Sequence, residues 1–162
     1  MHVVAAYSQG DGGRKRRRKP TSDEGTVRSG RGPGLVAKAG TDVIGWIQID
    51  RRAAFPRLAS SRVLKPMDEL DVWSVSCFFI DKRFRRTGLS LKLLNAAVDW
   101  AHSRGAAIVE GYPIDTPRQK FPSFYAWTGF LGTFRQAGFA EVARRSDTRP
   151  IMRKALGDDR ED

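Results

Sequence analysis

The stretch from Val72 to Ala101, VWSVSCFFIDKRFRRTGLSLKLLNAAVDWA, constrains the fold more than any other. Its first part, Val72 to Ile80, is apolar on both faces, as a strand is when it lies at the centre of a sheet covered from both sides. A basic turn with one glycine follows. The spacing then predicts a helix from Leu89 to about Ser103, with Leu89, Leu93, Ala97, Trp100 and Ala101 on one stripe and Lys92, Asn95, Asp99 and His102 opposite. Gly105 stands where such a helix ends. Ala107 to Gly111 reads as a short buried strand, so strand, helix and strand form one crossover unit whose two strands run parallel.

Strand signals flank this unit. Gly34 to Ala39 and Asp42 to Ile49 surround a Gly40-Thr-Asp turn and predict a hairpin. Residues 51 to 70, which contain Pro56 and Pro66, read as a long connection with room for a short helix. After a proline-rich loop (Pro113, Pro117, Pro122), a second short helix is expected over Thr128 to Ala137, stopping at Gly138, followed by a closing pair of strands, Phe139 to Arg144 and Pro150 to Leu156. The expected fold class is therefore α/β: a mixed, mostly antiparallel sheet around a central parallel βαβ crossover.

Composition divides the chain unevenly. Of 162 residues, 29 are Lys or Arg and 18 Asp or Glu, a formal charge of +11. Residues 1 to 33 hold 8 basic and 3 acidic side chains, a net +5, and include the run Arg14-Lys-Arg-Arg-Arg-Lys19. The expected organisation is a basic arm over 1–33, one folded domain over 34–156 and a frayed tail over 157–162. A short apolar piece, Val3 to Tyr7, precedes the basic run and has the character of a remnant strand. One cysteine, Cys77, leaves no internal disulfide, and two isolated histidines argue against a structural zinc site, so no metal is expected. No apolar run reaches the ~18 to 20 residues of a membrane span, and the start lacks the basic-then-apolar order of a secretory signal. A cytoplasmic protein with no membrane partner is the expectation.

The turn is suited to phosphate. Gly88 lets backbone approach a ligand without a Cβ in the way, and the N–H groups from Arg86 to Ser90, with the helix dipole behind them and Arg85 and Arg86 beside them, make an anion cradle. By spacing alone, an ordinary solvated strand-to-helix loop suits Arg83, Arg85 and Arg86 equally well. Other phosphate motifs fit worse: no Gly-Lys-Ser/Thr completes a Walker loop, and no G-x-G-x-x-G follows a strand.

Phe78-Phe-Ile-Asp-Lys-Arg-Phe-Arg-Arg-Thr-Gly-Leu-Ser-Leu-Lys-Leu-Leu94 resembles the acetyl-CoA signature of the Gcn5-related N-acetyltransferases: apolar strand, aromatic before the turn, R/Q-x-x-G-x-G/A, leucine-rich helix. Phe134-Arg-Gln-Ala-Gly-Phe139 is similar to the family's Tyr-x-x-x-Gly-Phe helix end, in the family's order and spacing, and the resemblance covers about residues 34 to 156. It implies that acetyl-CoA is the co-substrate and that an amine, on a small molecule or a protein, is the acceptor, attacking directly in a ternary complex. It also implies that backbone groups of Phe78, Phe79 and Ile80 pair with the pantetheine arm. Arg85, Arg86, Thr87, Gly88, Leu89 and Ser90 then hold the pyrophosphate.

Three departures from the family pattern stand out. Ser90 replaces the signature's final Gly or Ala. Phe134 stands where many members carry the tyrosine that protonates the leaving thiolate, so that acid is missing. No amphipathic helix is legible before Gly34, where members usually place a strand and two helices that wall the acceptor site. Either the acceptor side is built differently or the chain is truncated or divergent there.

Acetyl transfer needs a neutral amine, and a lysine-like amine of pKa ~10.4 is neutral in only roughly one molecule in a few thousand near pH ~7. A base or water relay is required. Glu110, at the end of the strand parallel to the cofactor strand, is the candidate base, with pairing to arginine as its bland alternative. Tyr125 and Tyr112 are candidate acids. Cys77 lies in a strand as a small core residue, and His102 falls on the polar helix face. Trp46, Trp73 and Trp100 read as core, and Trp127 as loop or pocket lining. Two other functions start from different features: nucleic-acid binding through Arg14 to Lys19, and a catalytically inactive CoA-binding domain. Neither the acceptor nor the oligomeric state is legible.

Overall fold

The computed structural model describes residues 2–5, 34–116 and 127–157. Its sheet has seven strands: β1 (His2–Ala5), β2 (Gly34–Ala39), β3 (Asp42–Arg51), β4 (Trp73–Ile80), β5 (Ile108–Gly111), β6 (Ala140–Arg144) and β7 (Pro150–Ala155). They stand in the order β1-β2-β3-β4-β5-β7-β6, and β4–β5 is the one parallel pair. Three α-helices accompany them: α1 (Pro56–Ser60), α2 (Leu89–Ser103) and α3 (Leu131–Gln136). The mixed sheet around a central crossover is the architecture the sequence predicts.

The crossover follows its sequence closely. Helix α2 has the predicted bounds and buries Leu89, Leu93, Leu94, Ala97, Val98 and Ala101. That face lies on Ile47 and Ile49 of β3, Trp73, Val75 and Phe78 of β4, and Val109 of β5, the main core. Trp100 stands edge-on to Trp73 at 5.7 Å between centroids, while the Arg104 guanidinium covers its outer ring face at 4.4 Å.

Helix α3 is shorter than the expected Thr128 to Ala137, because Thr128 lies in a turn, Gly129 is left-handed at φ 84°, and Phe130 is extended and bridges Ile114 beyond the end of β5. Its end explains the Gly-Phe pair. Gly138 adopts φ 85°, which a Cβ would strain, and thereby turns its own N–H onto Arg135 O and that of Phe139 onto Phe134 O, each at 3.0 Å. Phe139 then packs edge-on against Phe134 at 5.0 Å.

The connection after β3 forms a 3-10 turn over Arg52–Ala54 and then α1, and covers the sheet face opposite α2. A second, smaller core forms there from Leu58, Tyr112 and Ile151, bordered by Phe55, Leu64 and Met67. His2–Ala5 pair antiparallel with β2, so the sheet begins inside the segment assigned to the basic arm. The basic run 14–19 and Tyr125 lie outside the described residues. Among the described residues no helix is long and apolar enough to cross a membrane.

Candidate functional site

Strand β4 runs straight into the basic turn. Asp81 caps a 3-10 turn, Lys82–Phe84, by accepting from the Arg83 N–H at 2.9 Å. The Arg83 guanidinium bonds the same carboxylate, and this contact holds Asp81 at a pKa of about 2. The Thr87 hydroxyl donates to Phe84 O, closing the turn from the other side. Arg86 at φ 62° and Gly88 at φ 81° are both left-handed, and a Cβ on Gly88 would meet nothing within 4 Å. Glycine is required here by its backbone angle, and the space in front of the turn is open. Gly88 is the N-cap of α2 and supplies no side-chain bond to the helix start, where the first N–H groups lack intrahelical partners. Arg85 to Gly88 are exposed, and Leu89 is buried as the anchor of the helix.

Beside the turn the sheet opens. β4 and β5 pair only through Trp73–Val109, Ser74–Glu110 and Val75–Gly111, yet β4 continues to Ile80. Asp81 N–H bonds Ile44 O on β3 at 2.8 Å, so by the two-residue period of a ladder Phe79 also turns its backbone to β3. Phe78 and Ile80 turn theirs to the opening. There the Phe78 N–H donates to Trp127 O, and Ile80 O accepts from Arg85 Nε at 3.3 Å. Of the three residues expected to face a pantetheine arm, two direct backbone groups into the crevice, while Phe79 is aligned with Trp46 across the ladder.

Phe134 forms the crevice wall. Its ring is fully buried, edge-on to Phe78 at 6.0 Å, and so close to β5 that a Cβ on Gly111 would come within 2.1 Å of Cε1. Segment Trp127–Phe130 fills the remaining gap, with Ile114 N–H on Gly129 O at 2.8 Å and Leu131 N–H on Ile114 O at 3.0 Å.

Glu110 is fully buried on the sheet face opposite α2. Its Oε1 accepts from Arg52 Nη1 and, at 2.7 Å, from the Tyr112 hydroxyl, while Oε2 accepts from Arg153 Nε at 2.6 Å. Arg153 also clasps Asp68, at 2.6 and 3.0 Å, which lowers the Asp68 pKa and raises that of Arg153. Tyr112 further shares a hydrogen bond with the Ser74 hydroxyl at 2.8 Å. Burial first, and then the Glu110 charge, push the Tyr112 phenol well above its ordinary pKa, so it stays protonated. Arg145 adds bonds to the carbonyls of Val63, Lys65 and Pro66, pinning the same connection. The arrangement joins Glu110 to Tyr112, both candidates from the sequence, but adds Arg52, Asp68 and Arg153. Long sequence separation hid those three.

Arg149, ahead of β7, is a fourth residue the sequence did not single out. Its Nη1 donates to Thr128 Oγ1 at 2.8 Å and approaches Tyr112 O at 3.5 Å, and burial pulls the guanidinium pKa down.

The model of the acetyltransferase (GNAT) family matches residues 6–130. A search of curated proteins finds no match. Among solved structures, the chain is similar to PH1933 from Pyrococcus horikoshii OT3, with TM-score 0.53 and 20% identity over 76% of this chain. It spans 65% of that protein's length. It is also similar to a ribosomal-protein-alanine N-acetyltransferase from Brucella melitensis, with TM-score 0.52 and 17% identity over 82% of this chain and 74% of that one. The GNAT domain of S. lividans PAT gives TM-score 0.53 and 18% identity over 76% and 60%. At these identities the likeness is one of fold.

Proposed function

Because the chain belongs to the acetyltransferase (GNAT) family, we propose that it transfers acetyl from acetyl-CoA to an amine by direct attack in a ternary complex. The observation that carries the reading is the edge of β4 that continues past the last β4–β5 pair and delivers Phe78 and Ile80 to the mouth of the phosphate turn. Acetyl-CoA supplies the activated acyl group as a thioester. The open space at Gly88, the uncapped helix start and the exposed Arg85 and Arg86 fit its pyrophosphate. Phe78 and Ile80 offer strand-like hydrogen bonds to its amide-bearing arm, the Phe78 N–H exchanging Trp127 O for the ligand. Phe134 contributes a dry wall and no proton. In this reading the folded domain, over 34–156 with His2–Ala5 added to its sheet, carries the site.

Glu110 enters the reading as the candidate base. With three donors already on its two oxygens, it reaches an acceptor proton through the Tyr112 hydroxyl or a water. Tyr125 remains the candidate acid, and a thiolate leaves without one at modest cost. The two guanidinium groups favour a second reading of Glu110, as the keystone of a structural clasp. Glu110→Gln separates the two. A base predicts loss of kcat with Tm held, whereas a clasp predicts a lower Tm with kcat of the folded protein retained.

The proposal is tested by thermal denaturation with and without acetyl-CoA, on the wild type and on Gly88→Glu. The expected result is stabilisation of the wild type alone. Equal stabilisation of both proteins would remove the turn from the site.

A further inference from the structure

Arg149 has an arrangement the acyl-transfer reading does not use. It is half-buried, and its one engaged nitrogen is held by two neutral oxygens, the Thr128 hydroxyl and Tyr112 carbonyl. Both belong to the crevice: Tyr112 follows the last paired residue of β5, and Thr128 follows Trp127, whose carbonyl meets Phe78. Among the described residues no carboxylate pairs with Arg149. Of the acids on neighbouring segments, Asp115 and Glu141 both pair with Arg144, and Asp147, two residues before Arg149, forms no ion pair with it. Residues 117–126 contain no Asp or Glu at all. The contrast with Arg52 and Arg153, each bonded to the buried Glu110, is direct.

A guanidinium withdrawn from water without an opposite charge is unfavourable, and Nη2 and Nε, two sites of its planar fork, make no hydrogen bond among the described residues. A fork of this kind matches an oxyanion. The same corner holds a further orphan: Thr116 buries a hydroxyl with no partner among the described residues, one residue past Asp115, whose N–H bonds Thr148 O at 2.9 Å.

We propose that Arg149 is the anion subsite of the acceptor pocket, and that the acceptor is an amine carrying an oxyanion, a carboxylate in the first instance. The subsite rests on the acetyltransferase reading of the crevice, because it takes its orientation from that site. Arg149 grips the carboxylate through its free edge while the amine points toward the thioester beside Phe78. The residue is a specificity determinant, leaving acetyl-CoA binding to the turn that follows β4.

The test uses the full chain and follows thiol release from acetyl-CoA with amino acids, their carboxamides, and amine-bearing phosphates such as phosphoethanolamine. Acetyl-CoA affinity is measured in parallel on wild type, Arg149→Met and Arg149→Lys. The expected result is turnover of carboxylate-bearing amines above their amides by about tenfold or more. Arg149→Met should lose that preference and Arg149→Lys should regain part of it, with acetyl-CoA affinity unchanged in both. A preference for phosphate-bearing amines that Arg149→Met abolishes supports the oxyanion subsite and assigns it to phosphate. Equal use of acids and amides, turnover of neutral amines alone, no turnover of any anionic amine, or a preference that survives in Arg149→Met overturns the proposal. If the wild type fails to bind acetyl-CoA, the acetyltransferase reading has failed first, a separate result.

Discussion

Two arginine-rich regions, one around Glu110 of β5 and one in the turn that follows β4, use the same side chain for opposite ends. Around Glu110, Arg52 and Arg153 are nearly withdrawn from solvent, with 13% and 11% of their side chains exposed, and their positive charges face Glu110 and Asp68. In the turn, Arg85 and Arg86 stand exposed around a helix start that carries no cap. Charge that is already matched builds structure, because removing either partner leaves a buried ion. Charge left facing solvent beside orphan N–H groups is available to a ligand. Arg149 falls between the two: it is half-buried, and among the described residues it has no carboxylate.

The largest effect should come from emptying the buried clasp. Glu110→Ala leaves Arg52 and Arg153 facing one another and should destabilise the fold by about 3 to 5 kcal/mol in urea unfolding. Acetyl-CoA affinity at the turn should hardly change, and a loss of affinity as large as the loss of stability would erase the division between the regions. Next comes Gly88→Glu, which places bulk and negative charge where phosphate belongs and a side chain at φ 81°. Acetyl-CoA binding should fall by at least about 100-fold, read by calorimetry. Arg85→Met removes one charged donor and should weaken binding by about tenfold, with Tm unchanged.

The smallest effect concerns pH. The folded pKa of Asp81 lies below its ordinary value, at about 2, so its stabilisation of the turn is complete above the ordinary carboxylate range and is lost as pH falls toward 2. An NMR titration of Asp81 should show that midpoint, and Arg83→Gln should return it upward toward 3.8. A midpoint unmoved by Arg83→Gln would mean that the turn is not organised by this pair.

What was legible in the sequence follows from how local each signal is. Helix α2, strand β4 and the parallel crossover announce themselves by periodicity within one window, and the bounds Leu89–Ser103 match. The glycine at 138 is equally local, since a helix end needs a left-handed residue there. Periodicity overextends helix α3 because Gly129 reads as an interior helix residue, whereas its left-handed φ of 84° breaks the helix and leaves Phe130 extended beside Ile114. The clasp was legible only as an excess of arginine. Arg52 and Glu110 are 58 residues apart, Arg153 and Asp68 are 85, and no periodicity links them. Residues 51 to 70 look unstructured for the same reason, being fixed largely by Arg145 and Arg153 from the last hairpin. The sequence pointed to Glu110 as a charged residue on a buried strand, and the structure supplies the neighbours that make its role a question of base against keystone.

The central claim, that the open turn and the edge of β4 beyond its pairing with β5 form one cofactor site, is tested most directly by calorimetric titration of the full chain with acetyl-CoA at moderate salt. ATP serves as the control for nonspecific attraction of phosphates to a protein of charge +11. Saturable one-to-one binding that ATP does not reproduce is the predicted result. No binding, or equal binding of both ligands, would contradict it and reduce the turn to an exposed basic loop.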